Sequence, residues 1–322
     1  MHRTTPLVAA VDIGGTKIAG ALVAPDGTLT ARTQRPTPAR EDGATVLAAV
    51  LEVVDALRAE PEWSRVAALG IGSAGPVDAS RGTVSPVNIP GWRDFPLVPG
   101  VDKHLGEQGG AAVPPIVLVG DGPAIAAAEH WQGAARGSAN SLCMVVSTGV
   151  GGGLVLGGAL YSGPTGNAGH IGHISVDLDG AECPCGSRGC VEVLASGPAI
   201  ARRALAEGWV PPGRDATAAA VAEAAKGGDP IARASFERAG QALAAGIAAT
   251  ATLVEIDRVV IGGGVARAGE VLFEPLRRRL ADYAVLPFVH GIEVRPAELG
   301  TDAGIVGAAA AAAHAVGADG WG

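Results

Sequence analysis

Leu7-Val8-Ala9-Ala10-Val11-Asp12-Ile13-Gly14-Gly15-Thr16-Lys17-Ile18-Ala19-Gly20-Ala21-Leu22-Val23 is an apolar run broken by one polar, glycine-rich interruption. Its spacing predicts a strand from Leu7 to Ile13, a tight hairpin at Gly14-Gly15-Thr16, and a returning strand from Ile18 to Val23. The theme recurs: Leu142 to Ser147 reads as a strand, Thr148 to Gly153 as a glycine turn, and Leu154 to Leu156 as the return. Around the first copy lie a strand near Leu29, an amphipathic helix from Val46 to Leu57, and strands at Val66–Ile71 and Ile116–Val119, with a helix starting at Ala124. After the second copy come helices at Ile231–Val254 and Val271–Tyr283, with the strand Arg258–Ile261 between them, and a closing helix at Ile305–Val316. Strands alternating with helices predict an α/β fold. The expected division is a smaller domain, residues 1–119 completed by 305–322, and a larger one, residues 120–304. Two glycine turns facing a shared cleft would suit a nucleotide.

The chain has 322 residues, 48% of them hydrophobic, which supplies core for two domains. A net charge of −8 argues against a bulk field that grips nucleic acid. No segment reads as a membrane span or a cleaved leader, so a cytoplasmic protein is expected. Irregular structure is expected at the N-terminus, around Pro211 to Gly213, and after Val316.

Asp12 to Lys17 offers backbone N–H groups, a hydroxyl and an ammonium in one hairpin, the donors that a phosphate chain requires. Thr148, Gly149 and Gly151 lie in a second such element, where absent side chains let phosphate approach the backbone. Gly262-Gly263-Gly264 follows a strand and is a third. Gly70-Ile71-Gly72-Ser73-Ala74-Gly75 spells a dinucleotide fingerprint, but Pro76 follows where a helix turn is needed.

Cys183, Cys185 and Cys190 fall within eight residues just after His170 and His173. Thiolate and imidazole ligands at this density read as a zinc site, closed and therefore structural. Spacing alone leaves the nitrogen ligand open between His170 and His173. Cys143, in an apolar run, reads as core.

These stretches, together with Gly70 to Asp78, Asn88-Ile89-Pro90-Gly91-Trp92 and Ala168-Gly169-His170-Ile171-Gly172-His173, resemble in order and spacing the bacterial ROK family of sugar kinases and regulators. The resemblance implies a two-domain actin-like, ribonuclease-H-like ATPase fold with a structural zinc loop, working on ATP, Mg²⁺ and a hexose. It assigns His173, Cys183, Cys185 and Cys190 to zinc. It assigns Asp12, Gly14, Gly15, Thr16, Lys17, Thr148, Gly149 and Gly151 to the phosphates, and Gly262, Gly263 and Gly264 to adenosine. Asp121 matches the catalytic base that takes the proton of the sugar 6-hydroxyl; the competing reading makes it the N-cap of a helix that Pro123 begins. Asn88 and Glu192 match sugar contacts.

Three positions depart from the family pattern. Gly120 and Pro123 replace asparagines that flank the catalytic aspartate, and His170 replaces the glutamate of A-G-E-x-G-H. Gly120 would leave room for an N-acetyl group, and His170 also occurs in N-acetylmannosamine kinases, whereas Asn88 to Trp92 looks glucokinase-like. The expected substrate is glucose first, an N-acetylhexosamine second. A catalytically weak sugar sensor is the other class of reading. The DNA-binding regulator is disfavoured, because the first phosphate loop begins at Asp12. Family members are often homodimers or homotetramers.

Overall fold

The computed structural model describes residues 5–109, 112–211, 213–319 and 321. The sequence expectations for residues 1–4, Pro212, Gly320 and Gly322 lie outside that set. The chain divides into two compact units. Unit 1 comprises Met1–Gly133, Leu160–Ala168 and Thr301–Gly322, and unit 2 comprises Ala134–Ala159 and Gly169–Gly300.

In unit 1 the strands are β1 (Leu7–Ile13), β2 (Lys17–Val23), β3 (Leu29–Pro36), β4 (Val66–Ser73), the short ribbon β5 (Val77–Asp78) and β6 (Thr83–Val84), and β7 (Ile116–Gly120). Its helices are α1 (Gly43–Arg58), α2 (Leu97–Glu107) and α3 (Asp121–Gln132), together with the last helix of the chain. The main sheet runs β3-β2-β1-β4-β7, with β1 antiparallel to β2 and parallel to β4. Alternation along β1 explains its two covered faces. Leu7, Ala9, Val11 and Ile13 enter the core shared with α1 and α2, while Val8 and Ala10 enter the opposite one. Helix α1 starts where the Asp42 side chain accepts from the Thr45 amide at 2.8 Å, and it buries Val46, Val50, Val53, Val54 and Leu57 along one stripe.

The second sheet repeats the pattern with β8 (Ser141–Val146), β9 (Val150–Leu156), β10 (Ala159–Tyr161), β11 (Arg258–Gly262) and β12 (Glu293–Pro296), in the order β10-β9-β8-β11-β12; all of it belongs to unit 2 except the last two residues of β10, Leu160 and Tyr161. The helices of unit 2 are α4 (Val191–Ala195), α5 (Gly197–Ala206), α6 (Ala218–Lys226), α7 (Pro230–Val254) and α8 (Glu270–Tyr283). Their apolar faces share one core with β8, β9 and β11.

The last helix, α9 (Ala303–Val316), belongs to unit 1 and packs on α3 and β4. A β-carbon at Gly307 would overlap the Ala124 carbonyl of α3, and one at Gly70 would overlap the Ala308 carbonyl. This close approach holds α3 in unit 1. The expected boundary at residue 120 therefore moves to 133, and residues 160–168 join unit 1 as well. Among the described residues no helix is long and apolar enough to cross a membrane. The Gly70–Gly75 fingerprint lies along β4 and is not followed by a helix, as Pro76 predicted.

Candidate active site

In unit 1 the β1–β2 hairpin closes through the Gly14 N–H, which donates to the Lys17 carbonyl at 2.9 Å. The Thr37 hydroxyl braces the turn by donating to the Gly14 carbonyl at 2.7 Å. Thr16 and Lys17 stand exposed at the tip. Asn88 lies directly against it: a β-carbon at Gly15 would sit 2.7 Å from Asn88 Nδ2. Residue 15 must therefore be small for the predicted sugar loop and phosphate hairpin to meet.

Asp12 is recessed at the end of β1. Burial, then the charge of Asp121, pushes its carboxyl from 3.8 up to about 6, with Lys17 opposing. Asp12, Lys17 and Asp121 thus share one electrostatic neighbourhood. Asp121 is exposed as the first residue of α3, and its Oδ1 accepts from the Gly122 amide at 2.7 Å. Gly120, not Asp121, occupies the N-cap position, so the capping reading of Asp121 is displaced by one residue. A β-carbon at Gly120 would stand at ordinary van der Waals distance from the Gly166 carbonyl oxygen (3.4 Å), Pro123 Cδ (3.5 Å) and Val77 Cγ2 (3.8 Å), so the backbone there admits one.

In unit 2 the turn after β8 is shorter than the sequence suggested. The Ser147 N–H donates to the Gly149 carbonyl at 2.8 Å, and Gly151 to Gly153 already belong to β9. Gly152 is required there for packing, because a β-carbon would lie 3.0 Å from the Cys143 carbonyl oxygen and 3.1 Å from that of Gly169. Gly262-Gly263-Gly264 abuts the same turn: with φ +92, Gly263 packs on the Val146 carbonyl, and a β-carbon at Gly264 would lie 3.6 Å from Ser147 Oγ. Glu192, in the first turn of α4, reaches back to this turn and accepts from the Val150 amide at 2.9 Å.

His173, Cys183, Cys185 and Cys190 converge, with one ligand atom from each lying within 4.8 Å of all the others. Cys183 Sγ is 3.7 Å from His173 Nδ1, and Cys185 Sγ is 3.8 Å from Cys190 Sγ. A zinc tetrahedron with Zn–S bonds of about 2.3 Å has S···S edges of about 3.8 Å, so the group fits the ion that its donor set suggests. His173 is the nitrogen member; His170 lies outside the group, its ring 6.1 Å from that of His173, and both histidines are exposed. Burial pushes the Cys190 thiol up to about 12, and neighbouring Cys183 and Cys185 add to it. A divalent cation would reverse that cost. Cys143 is buried in β8, as expected of core.

Two polar partners escaped the sequence reading, the Val150 amide and Asn167. Asn167 binds the Val77 backbone with both amide atoms, and its only sequence signal was a lone Asn ahead of Ala168-Gly169-His170.

Two strand–turn–strand sheets with glycine turns and a Cys₃His group define the mixed α/β fold of ROK sugar kinases, and the ROK family profile matches residues 8–315. The chain is 36% identical over 312 residues to a glucokinase of Thermotoga maritima, covering 93% of this chain and 95% of that enzyme. It is 38% identical over 301 residues to an N-acetylmannosamine kinase of Yersinia pseudotuberculosis, covering 93% and 96%. A ROK glucokinase from Streptomyces griseus, solved with glucose and AMPPNP, superposes with a TM-score of 0.76 at 34% identity, covering 96% of this chain and 99% of that one. The chain belongs to the ROK family. It is an ATP-dependent sugar kinase.

Proposed function

We propose that this kinase transfers the γ-phosphate of ATP to the 6-hydroxyl of glucose or a closely related hexose. The observation that carries the reading is Asp121, an exposed carboxylate at the junction of β7 and α3, electrostatically coupled to Asp12 beside the phosphate hairpin. Asp121 accepts the proton of the 6-hydroxyl as its oxygen attacks the γ-phosphorus. In the Gly14-Gly15-Thr16 turn the N–H groups of Gly15 and Thr16, with Lys17, hold phosphate oxygens in unit 1, and the Thr148-Gly149 turn does so in unit 2. Mg²⁺ accompanies ATP and shares its charge. Gly262, Gly263 and Gly264 receive adenosine. Asn88, Gly120, His170 and Glu192 contact the sugar. His173, Cys183, Cys185 and Cys190 hold a structural zinc ion, which fixes the His170–His173 turn and the start of α4.

The 38% identical N-acetylmannosamine kinases and His170 favour a second reading, an N-acetylhexosamine kinase. A coupled ADP-release assay with Mg·ATP over glucose, mannose, N-acetylglucosamine and N-acetylmannosamine separates the two. Phosphorus NMR of the product identifies the phosphorylated hydroxyl. Turnover confined to the N-acetylated sugars would reverse the ranking.

A further inference from the structure

The Gly14-Gly15-Thr16 hairpin of unit 1 uses its Gly14 N–H for its own closure, onto the Lys17 carbonyl at 2.9 Å. The Gly15 and Thr16 N–H groups have no acceptor among the described residues. What holds the turn in shape comes from outside it. Just past the end of β3, Thr37 donates through its hydroxyl to the Gly14 carbonyl at 2.7 Å and through its N–H to the Thr16 carbonyl at 3.1 Å. A trans peptide is planar and points its C=O and N–H in opposite directions, so the hydroxyl that takes the Gly14 carbonyl also aims the Gly15 N–H away from Thr37. Without that bond the Gly14-Gly15 peptide could turn as a unit, because glycine on both sides resists rotation least. Thr37 is itself well supported. It stands between Pro36 and Pro38, and a residue before proline is confined to extended backbone. Its carbonyl accepts from the Ala39 N–H at 2.8 Å, and where the same segment enters α1, Trp92 Nε1 donates to the Gly43 carbonyl at 3.0 Å.

We propose that Thr37 is a positioning residue for the phosphate hairpin: its hydroxyl, by holding the Gly14 carbonyl, keeps the Gly15 N–H turned outward as a donor to a nucleotide phosphate oxygen. The inference rests on the reading of this hairpin as a phosphate holder, and it adds the side chain that orients the donors. Such a bond matters beyond its own strength, because donors already in place need no reorganisation as charge develops on the transferring phosphoryl group. The hydroxyl carries the effect and the methyl group does not. Serine at residue 37 should therefore serve, and valine, which has the shape of threonine, should not.

The test measures steady-state rates with Mg·ATP and glucose or N-acetylmannosamine, whichever turns over faster, in the wild type, Thr37→Val, Thr37→Ser and Thr37→Ala. Thr37→Val should lower kcat/KM for ATP by about tenfold and leave the sugar KM within about twofold of wild type. Thr37→Ser should stay within about threefold of wild type on both. Thr37→Ala removes the hydroxyl without setting a methyl group against the Gly14 carbonyl, so it should repeat the loss even if Thr37→Val fails to fold. Unchanged ATP kinetics in the folded valine or alanine variant, a loss that serine does not restore, or an equal loss in ATP and sugar parameters overturns the inference. Lys17→Ala separates it from the reading beneath it. A raised ATP KM there with silent Thr37 variants removes only Thr37, whereas an unchanged ATP KM in Lys17→Ala defeats the phosphate reading of the hairpin and this inference with it.

Discussion

Glu192 accepts a hydrogen bond from the Val150 amide at 2.9 Å, and this bond ties the Cys₃His loop to the turn after β8. Cys190 precedes α4, Val191 N–H donates to the Ile174 carbonyl at 3.0 Å, and the next residue is Glu192. Any displacement of the thiol loop is therefore passed, within two residues, to the turn proposed to hold phosphate. The carboxylate also fills the space over Gly149, where a β-carbon would lie 2.6 Å from Glu192 Oε2.

Gly149→Ala should accordingly force Glu192 off the Val150 amide or shift the turn. The expected result is a fall of at least about tenfold in kcat/KM for both substrates, with unfolding free energy changed by about 1 kcal/mol. Gly151→Ala, whose β-carbon meets nothing within 4 Å, should cost less. Equal effects in steady-state kinetics would show that the contact with Glu192 does not matter.

Asp121→Asn keeps the size of the side chain and removes its basicity. Turnover should drop by about 10²- to 10⁴-fold, while sugar affinity measured by calorimetry stays within severalfold. Unchanged ADP production would remove Asp121 from the chemistry.

The strands were readable because period-two alternation and the flanking glycines are local signals; β1 runs from Leu7 to Ile13 as the apolar pattern predicted. The thiol cluster was readable for the same reason, whereas the choice between His170 and His173 was not, because three residues of spacing do not say which ring faces Cys183. Glycines misled the reading at Gly151 to Gly153. They serve strand-to-strand approach in β9, which looks identical in sequence to a phosphate turn. The boundary failed where the deciding contacts are remote: Ala124 against Gly307, and Asn167 against Val77, 90 residues apart. Neither leaves a mark in a local window.

Cys185→Ser should lower zinc content, measured by atomic absorption on protein purified without added metal, and lower the melting temperature with it. Cys185 is exposed, so the substitution removes little packing, and a loss of stability would report the metal. Sugar affinity should weaken in parallel, through Glu192. A variant with full zinc and unaltered sugar binding would show that the loop does not organise the site.

Asp12 makes stability depend on pH in a direction opposite to that of a salt-bridged carboxylate. Its folded pKa is raised from 3.8 to about 6, so its favourable contribution is complete below about pH 4 and is lost as pH rises through 6. At pH 7 the ionised group costs up to about 3 kcal/mol, less whatever solvent screens on its open side. Asp12→Asn should therefore unfold at higher denaturant than the wild type at pH 7.5, with the gap closing towards pH 4, and should lose activity. A gap that is constant with pH would mean that Asp12 titrates normally.

Gly307 tests whether α9 is the element that sets α3, and hence Asp121, in unit 1. A β-carbon there would run into the Ala124 carbonyl, which is backbone and cannot rotate aside, so Gly307→Ala must push α9 and α3 apart. Overpacking of this kind costs about 1–3 kcal/mol, and the displaced helix carries the proposed base at its first residue, so kcat should fall together with stability. Gly106→Ala is the control. It lies in α2 with nothing within 4 Å of its β-carbon, and helix propensity alone should make it more stable by about 0.5–1 kcal/mol without changing kcat. Urea unfolding and steady-state rates measured on both variants settle the point. If Gly307→Ala matches the control in both, α9 is not packed against α3 as tightly as Gly307 and Ala124 imply.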